Sequence, residues 1–360
     1  IQLREWRWET SEKPVAWLGV LQGARTEASN LHIRARGRSS YNALRLSGNA
    51  TWYLANSGAL GKSTRLAIVD TQGVEVHRAT LWQDFAALEF LFGTPLRLAR
   101  LIGVNEASEP VAAYGTSFGY RYRADSSREP PLPDDRDHAW IAVAFPLLVK
   151  ALAEAEPNPT TIATCGYVDS TVGHIDGQYL FAQVALEAAA YRLTTNPKPV
   201  VNDVDAWKAW ARSQRPALEG LAADPAAVNV LAVKLRDAYR PTTSRLVLRK
   251  FQEMSIEPPS EALDEIEGRN VVAHTLSMTD GEPYEIERDL RRIRIVRSLL
   301  AGMILRHVGY SGALSGWDLD ERRARKPADW FSVTSDATKE AQRVWEADAT
   351  PEGDAGAQTT

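Results

Sequence analysis

The stretch Glu267-Gly268-Arg269-Asn270-Val271-Val272-Ala273-His274 lies inside a run that reads as helix. Pro258-Pro259-Ser260 opens that run, two prolines followed by a serine N-cap, and Thr279-Asp280-Gly281 closes it. On such a helix Asn270 and His274, four residues apart, share one face, and Arg269 flanks them with a side chain long enough to reach the same spot. A cation, an amide and an imidazole placed together can neutralise and orient a phosphate and move a proton near neutral pH. An Arg-x4-His pair alone carries little weight, since chance supplies roughly half an instance in a chain of this composition. Requiring Asn beside the Arg lowers the expectation to roughly 0.015, so the plain reading, a snorkelling Arg and a core His, is the weaker one.

Outward from this stretch the pattern stays helical. Pro283 starts a further helix to about His307, with Gly309 placed as its stop. Arg288, Arg291 and Arg292 fall on one side of it. Acidic neighbours Glu285, Glu287 and Asp289 make a salt-bridged surface the default reading of that side, and a surface that tracks an RNA backbone is the functional one. Upstream, helices are expected over Leu246 to Met254, Ala226 to Tyr239 and Ala206 to Leu221, the last carrying Trp207 and Trp210 as core anchors. From Gly177 onward Leu180, Val184, Ala188 and Tyr191 recur at the spacing of one buried face, with Glu187 beside it.

Residues 1 to about 130 read instead as short strands. Trp6 to Trp8, Val15 to Leu21, Leu31 to Ala35, Thr51 to Leu54, Arg65 to Asp70 and Val74 to Thr80 alternate or form short apolar runs between Gly, Asn and Ser clusters. A single helix, Gln83 to Phe92, interrupts them. Asn56 to Ser63 ends in Gly-Lys-Ser, yet Asn56 stands where a phosphate loop needs Gly and a strand follows where a helix should begin, so a hairpin turn is the better account. Arg123 to Asp137 is a loop or linker, His138 to Ala155 a helix that caps the sheet or bridges onward, and Pro157-Asn158-Pro159 its end. The whole is an α+β chain: a β-rich, mostly antiparallel domain over 1–155, an all-α bundle over 156–315 and a mobile tail over 316–360.

At 360 residues, with 44% hydrophobic and 24% charged residues, the chain has globular values and room for two cores. A net charge of −4 provides no basic footprint for general nucleic-acid binding, so any RNA contact must be local. Cys165, the single cysteine, excludes an intrachain disulfide framework and a Cys-rich zinc site. The longest apolar stretch, Ala139 to Val149, is too short to span a bilayer, and no signal-peptide pattern opens the chain. The sequon Asn49-Ala50-Thr51 therefore carries no weight, a soluble cytoplasmic protein is expected, and Ile1 in place of Met suggests a trimmed start.

Arg269-Asn270-x3-His274 on the penultimate long helix of an all-α region resembles the HEPN ribonuclease domain. The rest of the chain is similar to ApeA-like abortive-infection proteins, which join a β-rich N-terminal domain to a C-terminal HEPN domain. That similarity runs through Trp82-Gln83-Asp84-Phe85, Leu88-Glu89-Phe90, Gly93-Thr94-Pro95-Leu96 and the strand-like Leu98 to Val104. Phe181-Ala182-Gln183-Val184-Ala185-Leu186-Glu187 resembles the first HEPN helix. The resemblance implies a metal-independent RNA endonuclease of anti-phage defence, with no cofactor, in which two HEPN domains pool their motifs in one cleft of a homodimer. His274 would be general acid/base, Arg269 the phosphate ligand, Asn270 the residue that fixes geometry and Glu187 a supporting residue. Arg288, Arg291 and Arg292 would bind RNA, with tRNA a candidate substrate and a phage-derived molecule a candidate trigger. A different class stays open: a non-catalytic module that dimerises and uses Arg269 and His274 only to grip RNA or nucleotide.

Overall fold

The computed structural model describes residues 6–22, 31–34, 40–56, 64–70, 78–118, 130–132, 140–154, 158–193, 199–222, 224–256, 258, 260–267 and 285–315. Its N-terminal part is an eight-stranded antiparallel sheet: β1 (Trp6–Glu9), β2 (Ala16–Gln22), β3 (Leu31–Arg34), β4 (Ser40–Ser47), β5 (Thr51–Asn56), β6 (Thr64–Asp70), β7 (Arg97–Val104) and β8 (Pro110–Phe118). The order β1-β8-β7-β2-β6-β5-β4-β3 places β2 at the centre, with the β3 to β6 meander on one side and β7, β8 and β1 on the other. Asn56 pairs with Arg65 across β5 and β6, and Thr64–Asp70 is a strand, which leaves no helix to receive a phosphate after Lys62-Ser63. The turn itself lies outside the described residues.

Helix α1 (Arg78–Phe92) connects β6 to β7 and begins earlier than expected, so Arg78 to Thr80 are helical and not the end of a strand. Its Asp84 is buried and holds the β4–β5 turn: one carboxylate oxygen accepts from the Asn49 amide at 3.0 Å, and the other accepts from the Ala50 amide at 3.0 Å and Trp52 Nε1 at 2.9 Å. Burial pushes this carboxyl above its ordinary range, against the lowering effect of those three donors. Gly48 is required in the turn, because a Cβ there would stand 2.7 Å from Asp84 Oδ1 and 2.7 Å from the Phe145 ring.

Helix α2 (Trp140–Leu152) packs on α1 and β4, and α3 (Pro159–Asp169) follows through Asn158. The Asn158 side-chain Oδ1 caps α3 by accepting from the Thr160 and Thr161 amides, while its Nδ2 donates to the Ala151 carbonyl at 2.7 Å. Phe90 of α1 and Tyr167 of α3 meet edge to face at 4.9 Å, and one hydrophobic core runs from Trp17 to Leu314. Leu132, inside the Pro-rich stretch read as loop, is 1% exposed and belongs to that core.

The remaining helices are α4 (Ile175–Leu193), α5 (Val204–Ser213), α6 (Arg215–Leu221), α7 (Pro225–Asp237), α8 (Thr243–Glu253), α9 (Ser260–Glu267) and α10 (Ile286–His307). The chain is thus α+β, an antiparallel sheet followed by a helical region. Gly309, at φ 86°, follows α10 in the left-handed conformation that ends a helix.

Two burial expectations are corrected. Trp207 and Trp210 do not anchor the core; their rings stack 4.8 Å apart within the small α5–α7 unit, and Trp210 is exposed. On α4 the buried side is Tyr179, Ala182, Gln183, Ala185, Leu186, Ala189, Ala190 and Leu193, whereas the face expected inside carries exposed Val184 and Tyr191. Small residues decide this. Ala185 lets Gly166 of α3 approach so closely that a Cβ on Gly166 would come within 2.6 Å, and close approach buries more surface than the bulkier face could.

Candidate functional site

Arg269, Asn270 and His274 lie outside the described residues; the structure describes the helix that leads to them and the helices that hold it. α9 ends at Glu267, and its last turn is tied down at Glu265, four positions before Arg269 in sequence. Arg292 Nε of α10 donates to Glu265 Oε1 at 2.8 Å, and Tyr179 Oη of α4 donates to Glu265 Oε2 at 2.6 Å. Gln183 Nε2, one turn along α4, donates to the Glu265 carbonyl at 2.7 Å and to Tyr179 Oη at 2.9 Å. The Arg292 guanidinium also lies 5.0 Å from the centre of the Tyr179 ring.

The electrostatics follow from this packing. Burial, and then the adjacent Glu265 carboxylate, push the Tyr179 phenol upward, so it remains a donor at neutral pH. Burial opposes the charge on Arg292, but the hydrogen bond and charge of Glu265 outweigh it and hold the guanidinium above its ordinary value. The network joins α4, α9 and α10 through ionic and hydrogen-bonding groups that each find a partner, the condition under which a buried polar cluster rigidifies a core.

The other site residues expected from sequence fall around this cluster. Glu187 is half-buried on α4 and lies one turn beyond Gln183, so Tyr179, Gln183 and Glu187 form a row at i, i+4 and i+8. Arg291 is ion-paired to Glu261 of α9 at 2.7 Å, with its side chain 52% exposed. Arg288 lies 3.8 Å from Glu285 and 3.6 Å from Asp289. All three arginines are therefore paired with acids, as the default reading of that side has it; Arg292 points inward, whereas Arg288 and Arg291 keep exposure. Asp289 is fully buried and neither of its oxygens has a hydrogen-bond partner.

Two further cations brace the same helices. Arg297 of α10 is buried and donates to the Ser170 carbonyl, to Ser170 Oγ at 3.1 Å and to Gln178 Oε1 at 2.7 Å, which fixes the turn between α3 and α4. Lys250 Nζ of α8 donates to the Leu193 carbonyl at 2.7 Å, a cation placed on the negative end of α4.

Sequence reading missed Tyr179, Gln183 and Glu265. The available signal was a pair of polar side chains four apart on one side of α4, and a carboxylate four residues before Arg269. Among the described residues there is no group of three His, Cys, Asp or Glu spaced to hold a metal, and no helix long and apolar enough to cross a membrane. No family model, curated protein or solved structure matches the chain.

Proposed function

We propose that this chain is a metal-independent RNA endonuclease of the HEPN type, acting in the cytoplasm in ApeA-like anti-phage defence, with Arg269, Asn270 and His274 as its reacting set. The observation that carries the reading is the Arg269-Asn270-x3-His274 sequence itself, which in the chain follows the stretch of α9 that Glu265 ties to α4 and α10.

RNA carries its own nucleophile. The 2′-hydroxyl loses its proton and its oxygen bonds to the neighbouring phosphorus, and the bond from phosphorus to the 5′-oxygen breaks as that oxygen takes up a proton. The products are a 2′,3′-cyclic phosphate and a 5′-hydroxyl. His274 moves a proton, Arg269 neutralises the phosphorane and Asn270 fixes the approach. One His cannot readily act as base and acid within a single step, so a homodimer that pools two motifs is part of the proposal, with Glu187 orienting each motif and the exposed Arg288 and Arg291 guiding the backbone.

The test is cleavage of bulk tRNA by the full chain in the presence of EDTA. Activity is expected to persist in chelator, and His274→Ala is expected to lose roughly 10²- to 10⁴-fold. Tight RNA binding without cleavage, unchanged in His274→Ala, would establish the binding-module reading instead.

A further inference from the structure

The face of α4 that the sequence marks as apolar is a face that the described residues leave uncovered. Phe181, Val184 and Tyr191 are 55%, 45% and 62% exposed, and Gly177, Leu180 and Ala188 between them are partly exposed. At 3.6 residues per turn all of these lie within about 60° of Val184, as one stripe along the helix. With aromatic side chains of about 150–250 Å², the stripe shows on the order of 300 Å² of apolar surface, the size of the largest patch on a typical monomer. Gly177 adds a second observation. A Cβ there would meet nothing within 4 Å, so among the described residues no contact calls for glycine at that point.

The arrangement of large and small residues is self-complementary about Val184. If a second α4 runs antiparallel with its two-fold axis beside Val184, residues whose numbers sum to about 368 come level with one another. Val184 then meets its own copy, Phe181 meets Ala188, Leu180 lies along the stem of Glu187, and Tyr191 covers the open space above Gly177. Each bulky side chain faces a small one or an aliphatic stem, as two packed helices crossing at a shallow angle of about 20° require. We infer that this stripe is the contact surface for a second copy of the same chain, with α4 packed antiparallel on α4.

Two such stripes remove on the order of 600 Å², well under the roughly 1,600 Å² of a standard stable interface, so the contact is a weak and reversible one. Glu187 stays at the rim of the pairing, on the side where Gln183 grips α9. Both Glu187 carboxylates then flank the two-fold axis on the side of the pair that carries α9. The surface argument stands apart from the ribonuclease reading, to whose homodimer it would supply a defined contact face.

Sedimentation equilibrium of the full chain tests the proposal. The wild type is expected to show a concentration-dependent dimer, and Val184→Arg and Gly177→Leu are each expected to run as monomers with unchanged melting, since neither position supports the monomer's core. Leu221→Arg, 83% exposed on α6, is expected to leave the dimer intact. Register is read by a short bis-maleimide in a Cys165→Ser background: Val184→Cys should crosslink to itself, and Tyr191→Cys only when mixed with Gly177→Cys. A wild type that stays monomeric, a dimer that survives both Val184→Arg and Gly177→Leu, or Tyr191→Cys crosslinking equally well alone would overturn it. A dimer with this register that leaves RNA uncut sinks the ribonuclease reading and keeps the interface.

Discussion

Arg292 of α10 and Glu265 of α9 form a 2.8 Å ion pair with only 22% and 11% of their side chains exposed, and it fastens the last turn before Arg269. Removing the carboxylate strands a half-buried guanidinium and deprives Tyr179 of its acceptor. Glu265→Ala is expected to cost about 2–3 kcal/mol in urea unfolding, below the range for a fully buried pair because Arg292 keeps some solvent. Glu265→Gln keeps an acceptor for Tyr179 and should lose less. Equal losses in the two variants would show that the ion pair alone matters.

Asp84 makes stability depend on pH with a defined sign. Its folded-state pKa lies above the ordinary 3.8, so the folded chain holds this proton more tightly than the unfolded one. The contribution is full below pH 3.8 and is lost as pH rises through the folded value. Against Asp84→Asn, which does not titrate, the wild type's margin should therefore be widest near pH 4 and narrow toward neutrality. A margin that widens with pH would contradict this. Asp84→Ala, which does not titrate either, strands the Ala50 amide and Trp52 Nε1 and should cost about 2–4 kcal/mol near pH 4, with the same narrowing toward neutrality.

Lys250→Met keeps the apolar stem but removes the donor from the Leu193 carbonyl. The expected loss is about 1–2 kcal/mol. Hydrogen exchange should locate it in the last turn of α4, where amide protection falls, while β2 and β6 at the centre of the sheet remain protected. Uniform loss across the chain would mean that Lys250 supports the core as a whole.

Chemistry through the 2′-hydroxyl predicts that DNA, and RNA methylated at the 2′-oxygen of the cut site, are left intact. Arg269→Lys should lose activity although the charge is kept, because an ammonium cannot make the bidentate fork to phosphate. Cleavage of the methylated RNA at the normal rate would mean that the nucleophile comes from elsewhere.

Much of the fold was legible where the signal is local. Alternation marks β2 and β6, Asn158 stands between two helices, and Gly309 stops α10, each through dihedral preference or a hydrogen bond within a few residues. Where local signals conflict, the reading failed. β4 carries Asn and Ser among its apolar residues and β8 carries Pro, Gly and Ala, so neither reads as a strand until the neighbouring strands supply its hydrogen bonds.

The sequence by itself determined that α4 is a helix with an apolar stripe, and it sets Asn270 and His274 four residues apart with Arg269 beside Asn270. Tertiary structure alone decided which side of α4 goes inside. Both sides fit a 3.6-residue period, and the alanine-rich side won because only it lets α3 and α10 approach closely. The partners of Glu265 were likewise beyond a local reading, since Tyr179, Gln183 and Arg292 reach it from helices distant in sequence. Which acid takes which donor is settled by packing, where a buried charge left without a partner costs several kcal/mol.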